Sequence, residues 1–323
     1  MKREKGCPLC GNVENSLIYE KKQEGLSWIQ CKECSLVYKT AGKDSLSTDT
    51  GYYREGQMRE TVPYRYGDSS SVTPEIAFEE KNEIQWGRFL KVKEYINKDS
   101  SVMEIGCGAG GFLHIVKPFV QGCVGVELDK ELVEFSRSKL SLDVRDTLLS
   151  EIDFSGKKFD LICMFHVLEH FDDPKSFLHQ VKEHLKPGGR LVIEVPNFND
   201  TLLQVFGLKK YQEIYFTVHH ELYFSQKSLS KLLEDCGFQC TFSPFNEYGI
   251  ANHLNWVQND RPVPGSSRQS GRCFQVSSYN KNEKNSEFVG ELNQWLRQIN
   301  DDYKELLASY GFFDTLFCIA QKS

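Results

Sequence analysis

The segment Val102-Met-Glu104-Ile-Gly106-Cys107-Gly108-Ala-Gly110-Gly111 constrains this chain more than any other. An apolar run leads into it and a helical pattern leads out, so it reads as the turn between a strand and a helix. Glycine is needed there because the backbone must turn sharply and let a ligand come closer than a Cβ permits. Nineteen residues after Gly108 stands Glu127, at the end of the apolar stretch Cys123-Val-Gly-Val. A carboxylate in that position reaches both hydroxyls of a ribose. Loop and acid together predict a pocket for an adenosine-containing ligand at the top of the first two strands of an α/β sheet.

The alternation that begins at this loop continues. Residues 102–105, 124–127, 142–145, 160–165 and 191–195 are apolar runs separated by helical stretches, the pattern of βαβ units and of parallel strands buried on both faces. Upstream, residues 74–98 read as one helix with Ile84, Phe89, Val92 and Ile96 on its apolar stripe. Downstream, a strand-like segment runs to about Tyr248 and gives way to a Pro-, Gly- and Ser-rich loop through 259–268. A helix over 286–309 follows, with Phe288, Leu292, Trp295, Leu296, Ile299, Tyr303 and Leu306 as its apolar face. A last strand over 315–320 is expected to return to the sheet edge. The reading divides the chain into a small module over 1–45, a linker or lid over 46–80, a Rossmann-like α/β core over 81–240, and C-terminal strands with a helical insertion over 241–323.

The first module carries Cys7-Pro-Leu-Cys10 and Cys31-Lys-Glu-Cys34. Each pair can grip one zinc ion through two thiolates, and two pairs close a tetrahedral site, so the ion expected is structural and the module zinc-ribbon-like. A segment of this size buries too little apolar area to fold alone, so metal binding would supply much of its folding free energy. Eleven cysteines and no apolar run behind the N-terminal charges suit a reducing, cytoplasmic setting, and no stretch approaches a membrane span. The formal net charge of -6 weighs against a polyphosphate partner.

The run from Gly106 to Gly111 also fits the dinucleotide pattern Gly-x-Gly-x-x-Gly, so the loop by itself leaves a nicotinamide cofactor open. Glu104, two residues before the first glycine, is awkward beside a pyrophosphate and suits a cationic donor carrying an amino group, as S-adenosylmethionine (SAM) does. In this loop, in Phe159-Asp-Leu-Ile-Cys-Met-Phe-His-Val-Leu-Glu-His170 and in Leu185-Lys-Pro-Gly-Gly-Arg-Leu-Val-Ile-Glu-Val-Pro-Asn197, the chain resembles the class I SAM-dependent methyltransferases. The resemblance spans about half the chain. It implies that Glu104, Gly106, Cys107, Gly108 and Gly110 hold the methionine end of SAM, Glu127 and Leu128 the ribose, and Asp146 with Thr147 the adenine. Phe165 and His166 would close over the donor.

Methyl transfer to a hydroxyl needs a lone pair about 3 Å from the methyl carbon and a group to take the proton. Histidine suits that task near neutral pH. Two clusters offer it: His166 and His170 after the fourth strand, and His219 with His220 in Tyr215-Phe-Thr-Val-His-His-Glu-Leu-Tyr-Phe-Ser225 after the fifth. That second stretch, behind a four-cysteine module, is similar to bacterial sugar methyltransferases that act on nucleotide-linked sugars or surface glycans. Carbon-methylating members carry Tyr-x-Glu-His before Tyr-Phe-Ser. Here Thr217, Val218, His219 and His220 stand instead, which favours oxygen methylation of a sugar, a nucleotide-linked sugar, a glycan precursor or another small polar metabolite. Tyr223, Tyr248, Asn252, His253, Arg261, Arg268 and Arg272 are the candidates for contact with that acceptor. A zinc-ribbon RNA base methyltransferase, a carbon methyltransferase of a nucleotide-linked deoxysugar and a non-catalytic SAM- and zinc-binding adaptor are the alternative readings.

Overall fold

The computed structural model describes residues 6–40, 53–56, 73–80, 82–262 and 285–322. Arg268 and Arg272 lie outside these residues, as does most of the 46–80 segment. Three short antiparallel strands come first: β1 (Asn15–Lys21), β2 (Leu26–Cys31) and β3 (Val37–Thr40). Helices α1 (Pro74–Glu80) and α2 (Asn82–Val92) follow, then β4 (Ser101–Ile105), α3 (Gly111–Val116), β5 (Gly122–Val126), α4 (Lys130–Leu140) and β6 (Asp143–Arg145). The chain goes on through β7 (Phe159–Phe165), α5 (Pro174–His184), β8 (Leu185–Pro196), α6 (Thr201–Gln204), α7 (Lys209–Tyr215), β9 (Leu222–Tyr223) and α8 (Gln226–Asp235). It ends with β10 (Phe238–Phe245), α9 (Ile250–Asn259), α10 (Ser286–Ser309) and β11 (Thr315–Lys322).

Two sheets result. The larger has the order β10-β11-β8-β7-β4-β5-β6. Strands β4, β5, β6, β7 and β8 are mutually parallel, and β11 runs antiparallel to both β8 and β10. This is the expected Rossmann-like α/β sheet, and β4 is buried at every position because helices cover both faces. The smaller sheet has the order β1-β2-β3-β9. Its last strand comes from the segment after β8, pairing Val37 with Tyr223 and Tyr38 with Leu222. Cys7, Leu9, Leu36 and Tyr38 accordingly share one apolar cluster with Leu222, Phe224 and Leu229 of the larger unit.

Several sequence expectations are corrected. Strand β11 is an inner strand, and the edge position belongs to β10. The physical signal is the unbroken burial of residues 315–318, which a strand covered on both sides requires, against the alternating exposure of β10. The helix expected over 74–98 is divided into α1, α2 and a short 3-10 turn at Lys93–Tyr95. A further helix, α9, occupies residues read as loop. On α10 the apolar face is rotated from the expected one. Phe288, Trp295 and Leu306 are 63%, 60% and 58% exposed, while Asn293 and Asn300 are buried. Asn300 decides this rotation: its Oδ1 accepts the Ile250 backbone N–H at 3.2 Å, directly over Gly249. Among the described residues no helix is long and apolar enough to cross a membrane.

These assignments have a direct thermodynamic consequence. Phe317, fully buried on β11 against Phe165 and Phe245, should cost about 3–5 kcal/mol of stability when replaced by Ala. Trp295→Ala on the open side of α10 should change stability by no more than about 0.5 kcal/mol. Urea unfolding midpoints compare the two, and a reversed order would contradict both corrections.

Candidate active site

The parallel register of β4, β5 and β6 sets three acidic residues side by side at their carboxyl ends. Glu104 pairs with Gly125, and Val126 pairs with Arg145, so Glu104, Glu127 and Asp146 end adjacent strands. The glycine loop crosses above them with Gly106, Gly108 and Gly110 at φ 70°, 53° and 76°, the left-handed region that disfavours every residue with a Cβ. A Cβ on Gly106 would come within 2.6 Å of Val167, and one on Gly110 within 2.6 Å of Leu142. At Gly108 nothing lies within 4 Å, so that glycine faces open space. The Glu127 carboxylate accepts the N–H groups of Gly108, Leu128 and Asp129 at 2.8, 2.7 and 3.0 Å. Burial pushes its pKa up, and those three backbone donors pull it back. Two of these donors share Oε1 and one takes Oε2, so Oε2 keeps a lone pair for a further hydroxyl.

The other donor-side candidates divide. Cys107 turns its sulfur into the core, into space that a Cβ on Gly125 would fill, and burial raises its pKa well above that of a reactive thiol. Asp146 meets Arg54 at 3.5 Å, and Thr147 donates its hydroxyl to Glu151. The Phe165 ring is 7% exposed and packs against Phe112 and Phe317 with the Arg88 guanidinium 4.3 Å above it. Its side chain therefore packs into the core.

His166 opens the loop after β7 in a left-handed conformation, φ 56°. Its Nε2 lies 3.1 Å from Glu194 and its Nδ1 3.4 Å from Glu169. Glu194, midway along the apolar run of β8, also forms a two-toothed ion pair with the buried Arg88 of α2. Burial opposes charge on His166, but the two carboxylates push its pKa up to about 9. Burial likewise opposes charge on Glu194, and Arg88 and His166 hold it at about 2. His166 is thus an imidazolium at neutral pH and has no lone pair with which to accept a proton.

His170 and His220 gather around Glu169, which has no exposed surface. His220 Nε2 is 4.0 Å from its Oε1, and the His220 ring lies edge-on to His170 with centroids 4.9 Å apart. His170 Nδ1 is 2.9 Å from the His219 carbonyl, and because a carbonyl only accepts, that nitrogen carries the proton. Tyr53 Oη approaches the same nitrogen at 3.3 Å. Burial, then the charges of His170, Lys39 and Lys21, lower the His219 pKa to about 4, so its ring is neutral.

Aromatic contacts run from His220 through Tyr223, Tyr215 and Tyr211 to Trp256 on α9. The Tyr223 hydroxyl is committed within the loop, accepting from the Thr217 N–H and donating to the Tyr215 carbonyl. On α9, Asn252 is 1% exposed, and neither end of its carboxamide has a hydrogen-bond partner among the described residues. His253 Nδ1 meets Tyr303 Oη at 2.7 Å. Tyr248 donates its backbone N–H to Asp314, whose pKa burial and the Glu247 charge push up to about 8. Arg261 is exposed two residues beyond the end of α9.

At the other end of the small sheet, one sulfur atom from each of Cys7, Cys10, Cys31 and Cys34 lies within 4.8 Å of all the others. Cys7 and Cys34 are 3.4 Å apart, Cys10 and Cys31 3.5 Å. Four thiolates about 2.3 Å from one ion stand roughly 3.8 Å apart, so the set fits a tetrahedral metal, whereas a disulfide would need about 2 Å.

Sequence reasoning missed Arg88, Glu169, Glu194, Tyr53, Lys39 and Glu221. A charge inside an apolar strand, as in Leu-Val-Ile-Glu194-Val, was the available signal for Glu194, since such a group needs a buried partner. The others have no local signature.

Residues 79–241 match the family model described as a methyltransferase domain. A tRNA U34 carboxymethyltransferase of Pseudoalteromonas translucida is 31% identical over 236 residues, covering 66% of this chain and 70% of that protein. A ubiquinone biosynthesis O-methyltransferase of Cereibacter sphaeroides is 30% identical over 103 residues, which span 30% of this chain and 42% of that relative. A solved SAM-dependent methyltransferase from Archaeoglobus fulgidus has a TM-score of 0.47 at 20% identity, covering 77% of this chain and 97% of that one.

The paired charges predict a pH window. His166, raised from 6.5 to about 9, contributes stability that is full below pH 6.5 and lost as pH rises through about 9. Glu194, lowered from 4.5 to about 2, contributes above pH 4.5 and loses its effect as pH falls towards 2. In urea unfolding, the stability advantage of wild type over His166→Asn should shrink between pH 6.5 and 9. A constant advantage would contradict the ion-paired ring.

Proposed function

Because the chain belongs to the methyltransferase-domain family, we propose that it transfers the methyl group of SAM to a hydroxyl oxygen of a small polar acceptor, with His220 as general base. The acceptors favoured are a sugar, a nucleotide-linked sugar or a glycan precursor. The observation that carries the assignment of the base is the His220 ring beside the fully buried Glu169, while His166 is occupied by two carboxylates. A carboxylate behind an imidazole raises its basicity and stabilises the imidazolium that proton transfer creates.

The open space at Gly108 and the row of Glu104, Glu127 and Asp146 suit a cationic, adenosine-bearing ligand. Glu127 would take the ribose hydroxyls, Glu104 the amino group and Asp146 the adenine side, with Arg54 and Tyr53 passing over the pocket. Bound there, SAM supplies a methyl group on a positively charged sulfur. The acceptor oxygen forms its bond to that carbon as the carbon–sulfur bond breaks, and the hydroxyl proton passes to His220. Asn252 supports a polar acceptor, because a buried carboxamide without partners is costly until an incoming hydroxyl satisfies it. Thr217 and His219 stand where carbon-methylating sugar enzymes carry Tyr and Glu, which supports oxygen over carbon. Zinc held by Cys7, Cys10, Cys31 and Cys34 is architectural in this reading.

A second reading is favoured by the tRNA-modifying relative from Pseudoalteromonas: the acceptor would be an RNA. The net charge of -6 opposes it. RNA binding that weakens steeply with salt would support it over the first.

Calorimetry with S-adenosylhomocysteine tests the donor pocket, where Glu127→Ala should weaken binding about 10- to 100-fold. His220→Ala should retain that binding and lose about 10²- to 10⁴-fold in turnover of a carbohydrate acceptor. Undiminished turnover would eliminate the base. Metal analysis should find one zinc per chain, and cobalt exchanged into the site should show thiolate charge-transfer absorption that Cys31→Ser abolishes.

A further inference from the structure

The segment 216–221 is a turn that contributes little to its own support. Within it, the His220 N–H reaches the Thr217 carbonyl at 3.3 Å, and most other ties come from elsewhere. Three successive carbonyls are each taken by a foreign side chain. Lys39 Nζ donates to Val218 at 2.6 Å, the His170 ring to His219 at 2.9 Å and the Trp28 indole to His220 at 3.4 Å. Two of those three donors stand on β2 and β3, the strands joined by the turn from Cys31 to Cys34.

Lys39 does more than meet one carbonyl. It is 2% exposed, its ammonium lies 2.6 Å from the Glu221 carboxylate, and its own N–H binds the Glu221 carbonyl at 2.8 Å. The side chain therefore grips residues 218 and 221, on either side of the two histidines. Trp28, with no exposed surface, lies three residues before Cys31 on β2, and Lys39 lies five residues after Cys34 on β3. The four thiols sit where both strands must be pinned for these donors to stay in place.

The geometry points to a positioning role for the four-thiol module: through Lys39 and Trp28 it holds the His219–His220 turn in register against Glu169 and His170. This inference rests on the reading that the turn faces the acceptor. It separates two functions within the chain. The donor pocket is built by β4, β5 and β6, so it should survive release of the module, whereas the acceptor side should not. Metal occupancy would then govern methyl transfer without governing SAM binding.

The test uses the full chain, metal-loaded and stripped with a thiol-competing chelator, and the double variant Lys39→Met/Glu221→Gln. The double change removes both buried charges together, so neither is left unpaired. Trp28→Phe, which keeps the ring and loses the donor, is the second probe. In hydrogen exchange, amides of 216–223 should exchange at least about tenfold faster after stripping and in the double variant. The affinity for S-adenosylhomocysteine should stay within about threefold. The NMR signals of the His219 and His220 ring C–H groups should move in both variants, and Lys39→Arg should restore them in part. Unchanged exchange at 216–223, or loss of S-adenosylhomocysteine binding in step with it, would overturn the inference. Should His220→Ala leave turnover intact while exchange still responds to the module, the coupling stands and the assignment of the base falls.

Discussion

The Glu127 carboxylate, held by the N–H groups of Gly108, Leu128 and Asp129, ties the glycine loop to the end of the neighbouring strand. That contact exists because β4 and β5 are parallel and in register, which brings the turn after one strand beside the acid ending the next. Everything on the donor side follows from the same register. The left-handed glycines keep the loop low, Gly125 leaves room for Cys107 to turn inward, and Glu104, Glu127 and Asp146 line up along the carboxyl edge. The pocket is therefore a property of strand order more than of any single side chain.

A second constraint is the largely buried set Arg88, Glu194, His166 and Glu169. Arg88 and His166 balance the carboxylates of Glu194 and Glu169 there, with Glu247 also within 4.8 Å of His166 and Glu194, so removing either cation would strand buried carboxylates. The balance also sorts the histidines. His166 is spent as a cation within the set, His170 is spent fixing the His219 carbonyl, and His219 is neutral through burial. His170 and His220 share the buried Glu169 and lie edge-on to each other, and of the two it is His170 whose Nδ1 is committed to the His219 carbonyl.

The small sheet changes how the chain is divided. A four-cysteine segment at the start of a sequence invites description as a separate unit, yet its third strand pairs with β9 and its apolar residues join the cluster of the larger sheet. The cysteine spacing describes the ligand set and is silent about what the intervening strands touch. Lys39 and Trp28 acquire meaning from residues about 180 and 190 positions away.

Local chemistry made part of this legible in advance. The glycine loop, the acid nineteen residues on, the paired cysteines and the apolar runs declare themselves because each depends on spacing along the chain: backbone turns, strand burial and the bite of two thiolates are short-range events. The inner place of β11, the rotation of α10 about Asn300, the burial of Phe165 and the pairing of Arg88 with Glu194 are long-range events, and no window of sequence contains both partners. Composition and spacing thus determined a glycine loop with a facing acid, a cysteine set with metal-ligand spacing and an α/β core. Which histidine has a carboxylate behind it, and what holds that histidine, was decided only when the chain closed, because a buried charge takes its character from whatever folding places beside it.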